Sequence, residues 1–157
     1  MTGDYVTALE ESLSKKLNIL EEVDRIAKVQ AKMLAEDELD YEAFDDLMND
    51  RDICLEQLEK LDEGFEIVYE RVKDELQNNK DAYADKIKSM QSLITRITEL
   101  TTSITAQDER NKTAVGNAFI RDRRGIAEGR RSVSVAMNYY KNMNAIGGGD
   151  PRFSTKK

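Results

Sequence analysis

Apolar residues recur along most of this chain at alternating spacings of three and four residues, which places them on one face of an α-helix. Three segments keep this pattern. In the first, Lys16 and Gln30 interrupt a stripe whose apolar members are Val6, Leu9, Leu13, Leu20, Val23, Ala27 and Leu34. The spacing predicts a first helix over residues 4–35.

A second stripe begins after the acidic segment 36–40. Asp40 followed by Glu42 predicts a helix N-cap with an acidic first turn. Arg51 and Asp62 are the polar members of the stripe, and its apolar members are Tyr41, Phe44, Met48, Leu55, Leu58, Phe65, Tyr69, Val72 and Leu76. We therefore expect a second helix over 41–76. Gly64 is unfavourable inside a helix and predicts close approach to a neighbouring helix there.

The third segment follows residues 77–81, which are rich in turn-forming residues. Its stripe first holds Tyr83, Ile87, Met90, Ile94, Ile97, Thr101 and Ile104, and the next two positions in register are Asp108 and Asn111. Beyond them the stripe changes phase and becomes thinner, with Val115, Phe119, Ile126, Val133, Met137 and Tyr140. The pattern predicts a third helix over 81–141.

The predicted lengths determine the expected architecture. A continuous helix over most of the third segment would be roughly 88 Å long, whereas a compact domain of this size is about 40 Å across. We therefore expect an all-α, elongated antiparallel hairpin or coiled coil of three helices. The long third helix should project beyond the other two and leave its last stripe uncovered. Residues 1–144 are predicted to form a single helical domain, and 145–157 a disordered tail.

Composition argues against enzyme chemistry. The chain has no His, which removes the commonest general base and metal ligand. A single cysteine, Cys54, forms neither an intramolecular disulfide nor a thiolate cluster. Phosphate-loop, dinucleotide and EF-hand motifs are absent from the sequence. We expect no catalysis, metal or cofactor, and a cytoplasmic protein without a membrane span or signal peptide.

Charge is distributed unevenly. Residues 1–110 carry 28 acidic and 14 basic residues, whereas 111–157 carry 3 and 10. The basic segment includes the cluster Arg121, Arg123, Arg124, Arg130 and Arg131. This cluster could pair with the acidic part of the chain or contact an acidic partner. Nucleic acid is a less favoured partner, because the acidic remainder would repel phosphates.

The uncovered stripe predicts a binding surface. An amphipathic helix of a partner could pack along Val115, Phe119, Ile126, Val133, Met137 and Tyr140 and complete the bundle. The same stripe could instead mediate a homodimer or pack on another part of this chain. The residues alone leave these alternatives open.

Several segments resemble the FlgN family of flagellar type III export chaperones. They are Leu100–Ile104, Asp108–Asn111, Gly125–Arg131 and Tyr139–Tyr140 in the third helix, and Leu47–Leu58 in the second. The resemblance implies a helical hairpin with a long third helix. It also implies a cytoplasmic chaperone that holds hook-filament junction proteins by their C-terminal amphipathic helices and escorts them to the export apparatus.

The resemblance also assigns site residues. In the family the client contacts the C-terminal part of the third helix, which corresponds here to the stripe from Val115 to Tyr140. A family tyrosine near that end is linked to the export gate, and Tyr139 or Tyr140 matches its place. Export gate or ATPase components are therefore expected partners. A chaperone for the filament-cap protein and a self-associating structural coiled-coil adaptor remain the alternatives.

Overall fold

A computed structural model of the chain describes residues 2–121, and these residues form three α-helices without strands. Helix α1 spans Thr2–Leu34, α2 spans Tyr41–Asn78 and α3 spans Ala84–Arg121. Residues 35–40 and 79–83 connect them. The predicted all-α class is confirmed. The continuation of the third helix to residue 141 and the predicted tail lie outside the described residues.

The helices alternate in direction, and contacts between them define their register. Lys16 in α1 binds Asp62 in α2 with an Nζ–Oδ1 distance of 2.8 Å, and Gln30, later in α1, contacts Met48, earlier in α2, so α1 and α2 are antiparallel. Lys86 at the start of α3 lies 2.9 Å from Glu10 near the start of α1, so these two helices run in parallel. The backbone of α1 runs close to both α2 and α3.

Helix α2 begins and ends at polar side chains. The Asp40 carboxylate accepts a hydrogen bond of 3.1 Å from the backbone N–H of Ala43, as expected of an N-cap. The predicted cap and the acidic first turn with Glu42 are confirmed. At the other end, Asn79 donates from its backbone and its side-chain amide to the carbonyl of Glu75. The chain therefore reverses direction at residues 79–83.

Buried apolar side chains form two clusters. The larger one, here called the main core, contains Val6, Leu9, Leu13, Leu20, Val23, Ile26, Cys54, Leu58, Phe65, Val72, Leu76, Met90, Ile97, Leu100 and Ile104. The smaller one, here called the end cluster, contains Leu34, Leu39, Phe44, Met48, Val115 and Ala118. The end cluster closes the end of the bundle at which α1 ends, α2 begins and the described part of α3 ends.

Gly64 does not mark a close approach between helices. The residue is exposed, and a Cβ built on it would meet no atom within 4 Å. The prediction from its position was wrong because Gly64 faces outward while its neighbour Phe65 supplies the packing on the main core. Nothing in the described structure requires a glycine at this position.

Candidate partner-binding site

The predicted binding stripe begins on α3 inside the bundle. Val115 is only 2% exposed and packs in the end cluster with Leu34 and Phe44. The expectation that Val115 lies in the uncovered part of the third helix is therefore wrong. It failed because the α1–α2 connection contributes Leu39, and the first turns of α2 contribute further apolar side chains, to cover this part of α3.

The apolar seam of α3 also continues in register beyond the point where a change of phase was expected. The buried position after Val115 is Ala118 and not Phe119. Phe119 is partly buried, while Ile120 and Arg121 are exposed. Ile120, at 63% exposure, is one of the large apolar side chains that the described structure leaves accessible. Sequence reasoning passed over Ala118 because a methyl side chain gives a weak apolar signal.

Most of the predicted site follows α3 in the sequence. The stripe residues Ile126, Val133, Met137, Tyr139 and Tyr140 and the basic residues Arg123, Arg124, Arg130 and Arg131 lie outside the described residues. Val115, Phe119 and Arg121 are the members whose positions are known. Their predicted role in binding therefore stays a prediction.

The surface around this end of the bundle is acidic. Glu36, Asp37, Glu38 and Asp40 lie in the α1–α2 connection, and all four are exposed. Arg121, in the last turn of α3, is also exposed. The predicted basic segment therefore begins, at Arg121, next to this acidic end of the bundle. The four exposed carboxylates at this end favour the approach of positively charged groups.

A layer of buried polar side chains separates the end cluster from the main core. Arg51 of α2 donates a hydrogen bond to the Asp108 carboxylate of α3, and the two side chains are 0% and 1% exposed. The neighbouring seam positions are apolar on α2, where Met48 and Cys54 are buried, whereas on α3 Asp108 lies between the apolar Ile104 and the polar Asn111. The two helices therefore meet through an ion pair inside the bundle.

Helix α1 contributes to the same layer. The side-chain amide of Asn111 donates a hydrogen bond of 2.9 Å to the backbone carbonyl of Ala27. Gln107 in turn donates to the Asn111 side-chain oxygen, also at 2.9 Å. The Gln30 amide points at the sulfur of Met48 at 3.0 Å. Gln30, Arg51, Asp108 and Asn111 are together called the polar layer below.

The polar layer was visible in the sequence only as interruptions. Gln30, Arg51, Asp108 and Asn111 each occupy a seam position in an apolar stripe. Their pairing across helices is a structural finding. The available signal was that Arg51 and Asp108 carry opposite charges at seam positions of successive helices, but choosing this pair required the register between α2 and α3.

Burial changes the ionisation of two groups near the layer. Desolvation raises the pKa of the Asp108 carboxyl, and the hydrogen bond from Arg51 and its positive charge oppose that change. Desolvation also raises the pKa of the Cys54 thiol, and the negative charges of Glu22 and Asp50 raise it further. A buried thiol with a raised pKa is a weak nucleophile. Cys54 is therefore a packing residue of the main core.

The described part of the chain offers neither a metal-ion cluster nor a membrane-spanning helix. Between residues 2 and 121, no group of three or more His, Cys, Asp or Glu side chains is arranged to hold a metal ion. Among the same residues, every helix is too polar or too short in its apolar stretches to cross a membrane.

Comparison with known proteins identifies a family for this chain. The model of the FlgN protein family matches residues 1–144, which include all three helices and the whole predicted stripe. No curated protein and no solved structure matches the chain. The family match covers more than nine-tenths of the sequence. This chain therefore belongs to the FlgN family of flagellar export chaperones.

Proposed function

We propose that this chaperone binds the C-terminal amphipathic helices of flagellar hook-filament junction proteins along the stripe that begins at Phe119. Ile126, Val133, Met137 and one or both of Tyr139 and Tyr140 complete the contact. Binding masks apolar surface that would otherwise drive premature assembly in the cytoplasm. The chaperone then delivers the client to the type III export apparatus through export gate or ATPase components. It acts by stoichiometric binding and not by catalysis.

The observation that carries this proposal is the family match over residues 1–144. That range extends past Arg121 and contains every predicted contact residue. Membership of a chaperone family supports a binding function for the apolar positions that follow Arg121 in the sequence. A partner helix seated on them would complete a helix-in-groove interface.

The packing of α3 supports placing the contact at Phe119 and beyond. Val115 and Ala118 are 2% exposed and already have partners in the end cluster. Phe119 keeps part of its ring accessible, and Arg121 is exposed beside it. The first turn available to a client is therefore the last described turn of α3. Arg121, Arg123, Arg124, Arg130 and Arg131 would contact acidic groups flanking the client's apolar face.

Co-purification with candidate clients tests the proposal. The full chain is mixed with each hook-filament junction protein and with the filament-cap protein encoded by the same genome. Each client is used at full length and without its C-terminal helix. We expect a one-to-one complex with a junction protein that is lost on truncation, measured by size-exclusion chromatography with light scattering and by calorimetry.

The other results identify the alternatives. Binding of the cap protein alone would assign the chain as a cap chaperone of similar design. A stable dimer that binds none of the clients would favour the self-associating adaptor. Binding that survives removal of the client's C-terminal helix would contradict the proposed recognition mode, even where the client is correct.

A further inference from the structure

We infer that the polar layer divides the bundle into two units that open separately. In this arrangement the end of α3, residues 112–121, detaches from the end cluster while the main core stays folded. The inference concerns the isolated chain and does not depend on which client it binds. Three features of the described residues carry it.

The first feature is the order of residues along each helix. On α1, Gln30 lies between the main-core residue Ile26 and the end-cluster residue Leu34. On α2, Arg51 lies between Met48 and Cys54. The same order of main core, polar layer and end cluster recurs on α3, where Asp108 and Asn111 lie between Ile104 and Val115. The polar layer therefore crosses the whole bundle at one level.

The second feature is the difference in size between the clusters. Among residues 2–121, the main core holds 15 buried residues and the end cluster 6, and α3 supplies Val115 and Ala118 of those 6. Stabilisation by apolar burial scales with the area removed from water. Within the part of the chain that the structure describes, detaching the end of α3 therefore exposes little apolar surface. Continued opening past the layer would begin to expose the main core.

The third feature is the chemistry of the boundary. The second carboxylate oxygen of Asp108 and the side-chain oxygen of Gln30 are buried and accept no hydrogen bond within residues 2–121. Water that reaches the layer would hydrate these atoms and the Arg51–Asp108 pair, which offsets part of the cost of opening. No such compensation is available at Ile104 or Ile97. Opening from the end of α3 should therefore stop at the layer.

Connectivity determines which part moves. Leu34, Leu39, Phe44 and Met48 belong to the end of α1, its connection and the start of α2, so they are held together locally in the chain. In the described structure, the end of α3 reaches them through the long-range contacts of Val115 and Ala118 and of the partly buried Ala114. Leu55 packs against both clusters, so the apolar packing of α2 continues from one cluster to the other. The moving part is therefore α3 beyond Asn111.

Hydrogen exchange on the full chain, followed by mass spectrometry with overlapping peptides, tests the inference. We expect amides of residues 112–121 to exchange at least about tenfold faster than those of 94–104, with a step at Asp108 to Asn111. Val115→Ala should accelerate exchange in 112–121 and in 34–48 while leaving 94–104 unchanged. A smooth gradient along α3 without a step would instead indicate ordinary fraying and would overturn the inference.

A variant that removes the boundary provides the second test. In Arg51→Leu/Asp108→Leu an apolar pair replaces the ion pair and joins the two clusters, so the step in exchange should shrink several-fold. Gln30→Leu is a milder change in the same layer and covers the case in which the double variant fails to fold. A step that keeps its wild-type size in a folded variant would show that the polar layer is not the boundary. Client-binding results do not bear on either outcome.

Discussion

The Arg51 guanidinium of α2 donates a hydrogen bond to the Asp108 carboxylate of α3, and water reaches neither side chain. Each residue interrupts an apolar seam, and the two opposite charges compensate each other. The pair also fixes how far α3 slides along α2, because any other register would bury each charge against apolar side chains. A buried polar contact thus specifies the alignment that places Val115 in the end cluster.

Replacing Asp108 alone should be strongly destabilising. Asp108→Ala leaves the Arg51 charge buried without its carboxylate, and we expect a loss of about 3–5 kcal/mol in the free energy of unfolding. Arg51→Leu/Asp108→Leu removes both charges and should cost much less. Urea unfolding followed by circular dichroism measures both. Asp62→Ala breaks the more exposed ion pair with Lys16 and should cost less than about 1 kcal/mol. Equal losses for Asp108→Ala and the double variant would contradict this account.

Gly64→Ala should stabilise the protein. The position is helical and exposed, and an added Cβ meets no atom within 4 Å, so the variant gains helix propensity without a clash. We expect an increase of about 0.5–1 kcal/mol in the free energy of unfolding. Gly3→Ala, which has equal space in the first turn of α1, is the matched control and should give a smaller gain because that turn frays. Destabilisation by Gly64→Ala would indicate a neighbour that the described residues do not include.

Glu10 should make stability depend on pH in the acid range. Hydrogen bonds from Ser89 and Lys86 lower the pKa of this carboxyl from its ordinary value of 4.5. A lowered pKa means that the folded chain binds its proton less readily than the unfolded chain. The contribution is therefore present above about pH 4.5 and is lost as the pH falls through the folded-state pKa.

The measurement compares thermal midpoints of wild type and Glu10→Gln between pH 7 and pH 3. The wild type should lose more stability over this range than the variant. Glu11→Gln removes the same charge from an exposed neighbouring position and serves as the control. An identical pH profile for wild type and Glu10→Gln would show that the contacts of Glu10 with Ser89 and Lys86 do not stabilise the folded state.

Much of the fold follows from the spacing of apolar residues. Most of the predicted seam of α2 from Phe44 to Leu76 is buried, because one apolar face is what a bundle helix must bury. Cys54 is buried where Leu55 was expected, and Asp62 is exposed. The Asp40 cap was equally predictable, since a short carboxylate before an acidic first turn is a local signal. Both features depend on residues close together in the chain.

The candidate site was harder to predict because it depends on relations between helices. From the sequence, Asp108 and Asn111 marked the point beyond which α1 and α2 were expected to stop packing against α3, since a polar residue in a seam usually faces water. The structure places them inside, where Arg51 and the carbonyl of Ala27 satisfy them. That outcome depends on the register of three helices, which the spacing within any one of them does not specify. The boundary of the covered part of α3 was misplaced for the same reason.

Charge substitutions at Phe119 and Val133 test whether the client binds the proposed stripe and not another surface of the protein. Phe119 and Val133 are 14 residues apart, so a helix that continues as predicted places them on one face. Phe119→Asp and Val133→Asp should each abolish binding of a junction protein while leaving helicity largely unchanged. A charge in the contact has to be desolvated when the client binds, which opposes association.

Two matched substitutions provide the controls for that experiment. Ile120 lies about 100° around α3 from Phe119, and Ile67 lies on α2, with exposures of 63% and 61%. Ile120→Asp and Ile67→Asp introduce the same charge at equally exposed positions off the stripe, so both should bind the client normally. Calorimetry gives the affinities and circular dichroism the helicity. Loss of binding in all four variants would point to a general charge effect, and normal binding by Phe119→Asp and Val133→Asp would rule out the stripe as the client site.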